Sequence, residues 1–129
     1  MALNLPQIIK SMKNLVPHFC EIVRGKIHFP RTRKYIPLQE IVMLEGVVNY
    51  TLIHLQNNRR VLVPRTLKLF EIILKNHDFL RTHRAFIINC EHLQGIDNEG
   101  LLMKMTDNLQ ATVSRRRKEK VNERLHFQV

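Results

Sequence analysis

From Arg24 onward the chain never holds one hydrophobic period for long. Short runs rich in Val, Ile and Leu are cut repeatedly by Pro, Gly, Asn and Asp. Such punctuation selects short strands joined by turns. KIHFP (26–30) and KYIPL (34–38) read as strands whose prolines place them at edges or bends, because proline cannot donate to a ladder. IVMLE (41–45) reads as a buried strand. NYTLIHL (49–55) and RRVLV (59–63) flank Asn57 and Asn58, two residues that tolerate the positive φ of a tight hairpin connection. Further strands are expected at AFIIN (85–89), LLMKM (101–105) and LQATV (109–113), with turns at 97–100 and 106–108.

Helical spacing appears in three places. Leu67, Phe70, Ile73 and Leu74 share one face of a helix running to Lys75, with Thr66 placed to cap it. The tail SRRRKEKVNERL (114–125) is basic and helix-competent, with Val121 and Leu125 as its apolar contacts. Near the start, Ile8, Ile9, Met12, Leu15 and Val16 follow Pro6 at the spacing of a short amphipathic helix. The expected organisation is an N-terminal helical extension over 1–25, then one mainly β domain over 26–129. At 129 residues the chain can build one real core, not two. No period of repeat-protein length recurs, and no stretch is low in complexity.

Lys and Arg number 21 against 11 Asp and Glu, a formal charge of +10. A field of that sign gathers polyanions: nucleic acid, an anionic membrane or an acidic protein. No apolar run approaches the length of a membrane span, and no secretory leader pattern opens the chain, so a cytoplasmic protein without a membrane partner is expected. Cys20 and Cys90 form no CxxC pair, which leaves a disulfide framework or a zinc ribbon without support.

Enzyme signatures are thin. The four glycines form no phosphate-cradling loop, and no HExxH, GxSxG or carboxylate pair occurs. Cys90 with His83 or His92 could be read as a nucleophile and base or as metal ligands. A thiol directly after an apolar strand is more simply a structural one. No catalysis, cofactor, metal or small-molecule substrate is therefore expected.

The cations gather beside predicted strands: Arg81, His83 and Arg84 just before AFIIN, with no acid among them, and Ser114, Arg115, Arg116, Arg117 and Lys118 after LQATV. Asn49 stands in a third such place, the loop of EGVVNYT. Arg forks onto guanine and Asn onto adenine, while Ser, Thr, Lys and His commonly serve phosphates. Each patch also has an ordinary reading, as a solvated basic tail or a plain turn.

In order along the chain, EGVVNYTLIHL, VPRTLKLFEIIL, FLRTHRAFIIN and TVSRRR resemble the LytTR DNA-binding domain family over roughly residues 26–125. The resemblance implies an elongated sandwich of small antiparallel β-sheets with short helices, inserting loops into successive major grooves of promoter DNA and often bending it. By position it implies base reading by Asn49, Arg84, Ser114 and Arg115. Arg65, Thr66, Arg81, His83, Arg116 and Lys118 would be the phosphate neighbours. Ala85 and Thr112 depart from the family's usual Ser and Pro. Many relatives follow a phosphoacceptor receiver domain, which 25 residues cannot hold, so none is expected within this chain. The family's direct-repeat sites leave open both a homodimer and a second copy on DNA. The competing expectation is an interaction module whose basic surface meets an acidic partner or RNA without sequence choice.

Overall fold

The computed structural model describes residues 20–30 and 32–125. The helix expected at 8–16 lies outside them. The chain divides into two compact units at Leu38 and Gln39.

In the first unit, β1 (Glu21–Val23), β2 (Lys26–Phe29) and β3 (Lys34–Pro37) form an antiparallel sheet in that order. Val23 pairs with Lys26 across a two-residue turn in which Arg24 and Gly25 both take positive φ, 52° and 74°. Positive φ at both central positions matches the right-handed twist of the flanking strands. Residues 21–25, grouped on sequence with the helical extension, are therefore strand and turn.

The second unit holds a five-stranded antiparallel sheet in the order β6-β5-β4-β8-β7 and a three-stranded one in the order β11-β10-β9. Their strands are β4 (Ile41–Val47), β5 (Tyr50–Leu55), β6 (Arg60–Val63), β7 (Phe79–His83), β8 (Phe86–Asn89), β9 (Leu93–Ile96), β10 (Leu102–Met105) and β11 (Gln110–Thr112). Two helices complete it: α1 (Leu67–Ile73) and α2 (Lys118–Leu125). The fold is thus mainly β, built of small antiparallel sheets with short helices, as the sequence implied. β7 and β9 were not anticipated.

The large sheet buries both faces. On one side α1 sets Leu67, Leu69 and Phe70 against it, and a Cβ added to Gly46 would meet the Leu67 side chain at 3.5 Å, an ordinary van der Waals contact. On the other side Met43 and Ile88 join Met103, Met105 and Ala111 of the small sheet, Val113 just after it, and Val121 and Leu125 of α2 in one cluster. Each fully buried side chain of this kind stabilises the fold by about 1.5–3 kcal/mol before chain entropy is counted. Thr66 occupies the N-cap position of α1, but its side chain makes no capping bond; the expected cap is only positional.

A repeated plan, invisible as a sequence period, organises this unit. A 3-10 turn (Leu38–Glu40) leads into β4, a hairpin to β5, a second 3-10 turn (Gln56–Asn58), β6 and α1. A 3-10 turn (Cys90–His92) likewise leads into β9, a hairpin to β10, a 3-10 turn (Thr106–Asn108), β11 and α2. The correspondence extends to dihedral angles. Asn57 and Asn58 sit at φ 65° and 60°, and Asp107 and Asn108 both at 62°. The Leu55 N–H donates to the Arg59 carbonyl at 2.8 Å, and the Met105 N–H to the Leu109 carbonyl at 2.7 Å. The two turns also touch, the Asn57 N–H donating to the Asp107 carboxylate at 2.7 Å.

Candidate nucleic-acid interface

Strand register decides which loops share an end of the large sheet. β4 runs to Val47, which pairs with Tyr50, leaving Val48 and Asn49 as a two-residue turn. β8 is antiparallel to β4 with Phe86 opposite Glu45, so the preceding turn residues, Arg84 and Ala85, lie at that same end. The Gly46 N–H donates to the Ala85 carbonyl at 2.8 Å and fixes the two turns against each other. β6 finishes there as well, with Val63 opposite Thr51, and the Thr51 hydroxyl donates to the Arg65 carbonyl at 2.7 Å. Beyond β7, the Ser114 N–H donates to the Thr82 carbonyl at 2.9 Å and draws the segment leading into α2 alongside.

One end of the sheet therefore carries, across its width, Arg65 and Thr66, then Asn49, then Arg84, then Ser114 and Arg115. At the backbone the Asn49 and Arg84 turns are separated by two strand spacings, about 10 Å. Asn49, Thr66, Arg84, Arg115 and Arg116 are exposed.

Arg81 differs from what its sequence neighbourhood suggests. It is not an unpaired cation before a strand: it lies within β7, and its side chain is only 14% exposed. Its Nε donates to the His83 carbonyl at 2.9 Å, Nη1 to the Glu71 carboxylate of α1 at 2.7 Å, and Nη2 to the Arg84 carbonyl. The guanidinium is a strut under the Arg84 turn. The sequence run FLRTH concealed this because its cations mask a strand, and because the balancing acid comes from a helix ten residues away.

His83 is held too. Its Nδ1 accepts the Ala85 N–H at 3.0 Å, which leaves any proton of the neutral ring on Nε2, and the ring tilts against Phe86 with centroids 5.9 Å apart. Thr82, overlooked on sequence, is fully buried at the irregularity between Arg81 and His83; its hydroxyl donates to the Thr112 carbonyl at 2.9 Å. Ser114 Oγ accepts the Arg117 N–H at 3.3 Å, so this hydroxyl helps start the turn into α2.

Two proposed phosphate neighbours have unexpected surroundings. Arg65 turns back on itself: Nη1 donates to the Pro64 carbonyl at 2.6 Å, while Nε and Nη2 are buried without a hydrogen-bond partner. Desolvation lowers its pKa from the usual arginine value. Lys118 lies over the 97–100 turn, where a Cβ on Gly100 would come within 3.2 Å of its Cε.

The thiol chemistry weighed on sequence gains no support. Burial, with smaller effects from Asp78, pushes the Cys90 thiol up to about 11, and burial pushes Cys20 up to about 12. His92 is committed elsewhere, Nε2 to the Gln39 carbonyl at 2.7 Å and Nδ1 to the Thr106 hydroxyl at 2.9 Å. Among the described residues no helix is long and apolar enough to cross a membrane.

The LytTr DNA-binding domain family matches residues 31–126. A solved LytTr DNA-binding domain from Bacillus cereus has the same fold at TM-score 0.64 and 21% identity, over 83% of this chain and 94% of that one. No protein with a curated description matches. With the family covering most of the chain, and its four motifs lying on one continuous fold, this protein belongs to the LytTr DNA-binding domain family.

Proposed function

We propose that this protein is a sequence-specific regulator of transcription that reads promoter DNA with the loops gathered at one end of its five-stranded sheet. The observation that carries this reading is the register itself. It brings Asn49, Arg84 and the segment from Ser114 to Arg116 into one row from three distant stretches of chain. Asn49, Arg84 and Arg115 are the base readers. Arg116, Lys118, His83 through Nε2, and the backbone and side chain of Thr66 meet phosphates. Arg81 and Ser114 act by holding the readers in place, a role supported by their internal hydrogen bonds.

The loops enter successive major grooves. Because the row is shorter than the roughly 34 Å of one helical turn, a straight duplex would lose contact at one end. The duplex therefore curves around the row, and curvature costs least at flexible pyrimidine–purine steps. A second copy binds a neighbouring direct repeat in the same way. The net charge of +10 favours the encounter and makes affinity salt-dependent.

Selection from a random pool of duplex DNA tests this. Recovery of a short repeated motif is expected; uniform weak retention would instead favour the interaction module that binds an acidic partner or RNA without sequence choice. On the recovered site Arg84→Ala should cost about 1–3 kcal/mol and relax choice at one base pair. Lys118→Ala should weaken all sequences alike and lower the salt slope by about 1. Equal behaviour of the two variants would sink the division into readers and phosphate contacts.

A further inference from the structure

Within that row Val48 is the anomaly. It is the first residue of the two-residue turn between β4 and β5, and its φ is 56°. Positive φ at the first central position of a tight hairpin turn normally belongs to glycine; for a β-branched side chain it is a genuine outlier. Val48 is also 92% exposed, the most exposed of the large hydrophobic residues among those described. An aliphatic side chain left in water gains nothing from burial, so nothing in the free protein offsets the cost of the positive φ.

The strain and the outward side chain are accounted for together if a partner meets the valine from outside, at the reading end, beside Asn49. The floor of the major groove offers one apolar group, the C5 methyl of thymine. The nearby cations, Arg84 and Arg115, suit phosphates and guanine and cannot supply this contact.

We infer that Val48 is a specificity-determining residue that packs on a thymine methyl, within one base step of the adenine forked by Asn49. The inference rests on the DNA-reading role proposed above and sharpens it. The tip of the β4–β5 hairpin reads two successive A·T pairs, one through hydrogen bonds and one through van der Waals contact. The strained turn keeps the branched side chain pointing outward before DNA arrives, so little ordering remains on binding.

The test uses the selected duplex with uracil replacing each thymine in turn, which removes the methyl and leaves the pairing and polar groove atoms unchanged. The full chain should bind one uracil duplex about fourfold more weakly, the worth of a single buried methyl. That thymine should lie next to the adenine at which Asn49→Ala loses discrimination. Val48→Ala should bind the thymine and uracil forms of this duplex equally. Val48→Gly should be equally indifferent to the methyl and melt at a higher temperature, because glycine relieves the positive φ. Those last two results separate recognition from damage to the fold.

If the pool yields a preferred motif but no uracil position matters, or if Val48→Ala keeps the same discrimination, the inference is overturned while the DNA-reading role stands. If the pool yields no motif at all, both fall together.

Discussion

The two halves of the second unit follow one plan and end differently. In the first half the hairpin tip, Val48 and Asn49, is short, strained and without charge, and the connection into α1 folds its arginine inward, Arg65 donating to its neighbour's carbonyl. In the second half the tip at 97–100 satisfies itself. The Asp97 carboxylate accepts the N–H groups of Leu101 and Leu102 at 2.9 and 3.1 Å, and the Gly100 N–H donates to the Asp97 carbonyl at 3.0 Å. Here it is the connection into α2 that turns outward, with Arg115 and Arg116 exposed.

Under the DNA-reading role proposed above, the difference teaches where a base-contacting residue fits. A tip with its own hydrogen bonds and two acids, Asp97 and Glu99, is rigid but repels phosphate. A tip lacking both is free to offer side chains to a groove. Each half contributes one offering from opposite parts of the same plan, and β7 ties the two together. Arg81 fastens the Arg84 turn to α1 of the first half through Glu71. Thr82 fastens β7 to the second half, through Thr112 and Ser114.

Cutting the first fastening should have the largest effect. Arg81→Ala removes bonds to two carbonyls and leaves Glu71 unpaired, so we expect a loss of about 2–3 kcal/mol in urea unfolding, together with weaker specific DNA binding. Arg81→Lys should not rescue it, because one ammonium cannot reproduce a three-nitrogen fork. Full stability in Arg81→Ala would show that the strut is dispensable and that the guanidinium is free to serve DNA directly.

Cutting the second should cost less. Thr82→Val keeps the shape but deletes the hydroxyl bond to Thr112, about 1 kcal/mol for one part-buried hydrogen bond, with a further penalty for the carbonyl left behind. Because the lost bond holds the strand that leads to Ser114, choice at the base pair proposed for Arg115 should loosen, though only in part since the Thr82 carbonyl still accepts from Ser114, while the one proposed for Arg84 stays sharp. Equal loosening at both would break the division between the halves.

What the sequence made legible follows from how local each determinant is. The Asn57 and Asn58 hairpin was readable because two adjacent residues announce their own backbone angles; the structure adds only that Gln56 joins the connection as a 3-10 turn. The Val48 turn was not readable as a strained one, since valine signals strand and only the register of β4 with β5 forces φ to 56°. Asn49 and Arg84 could be placed in loops from flanking apolar runs. Glu71 and Thr82 could not be assigned, because each acts on a residue brought near only by the fold. The 50-residue correspondence between Asn57 and Asp107 escaped notice for a similar reason: it preserves turn angles, while of the turn residues only the Asn at 58 and 108 is shared.

The smallest expected effect concerns the self-satisfied tip. Asp97 has its pKa lowered from the usual 3.8, first by the Leu101 N–H, then by the N–H groups of Leu102 and Gly100 and by the charge of Lys118, all against a desolvation that raises it. A carboxylate whose folded pKa lies below its unfolded value binds protons more readily when unfolded. It therefore adds stability that is present above about pH 4 and is lost as pH falls through the folded value. Asp97→Asn keeps an acceptor for the two N–H groups but cannot titrate, so its acid unfolding should be less steep below pH 4 while its stability near neutrality falls only slightly. The carboxylate lies at the surface, half-buried by its own turn, and added salt should shrink the part due to Lys118 while leaving the backbone part. If Asp97→Asn and the parent chain lose stability in parallel below pH 4, this carboxylate does not hold the second tip. The contrast with the strained first tip would then rest on charge alone.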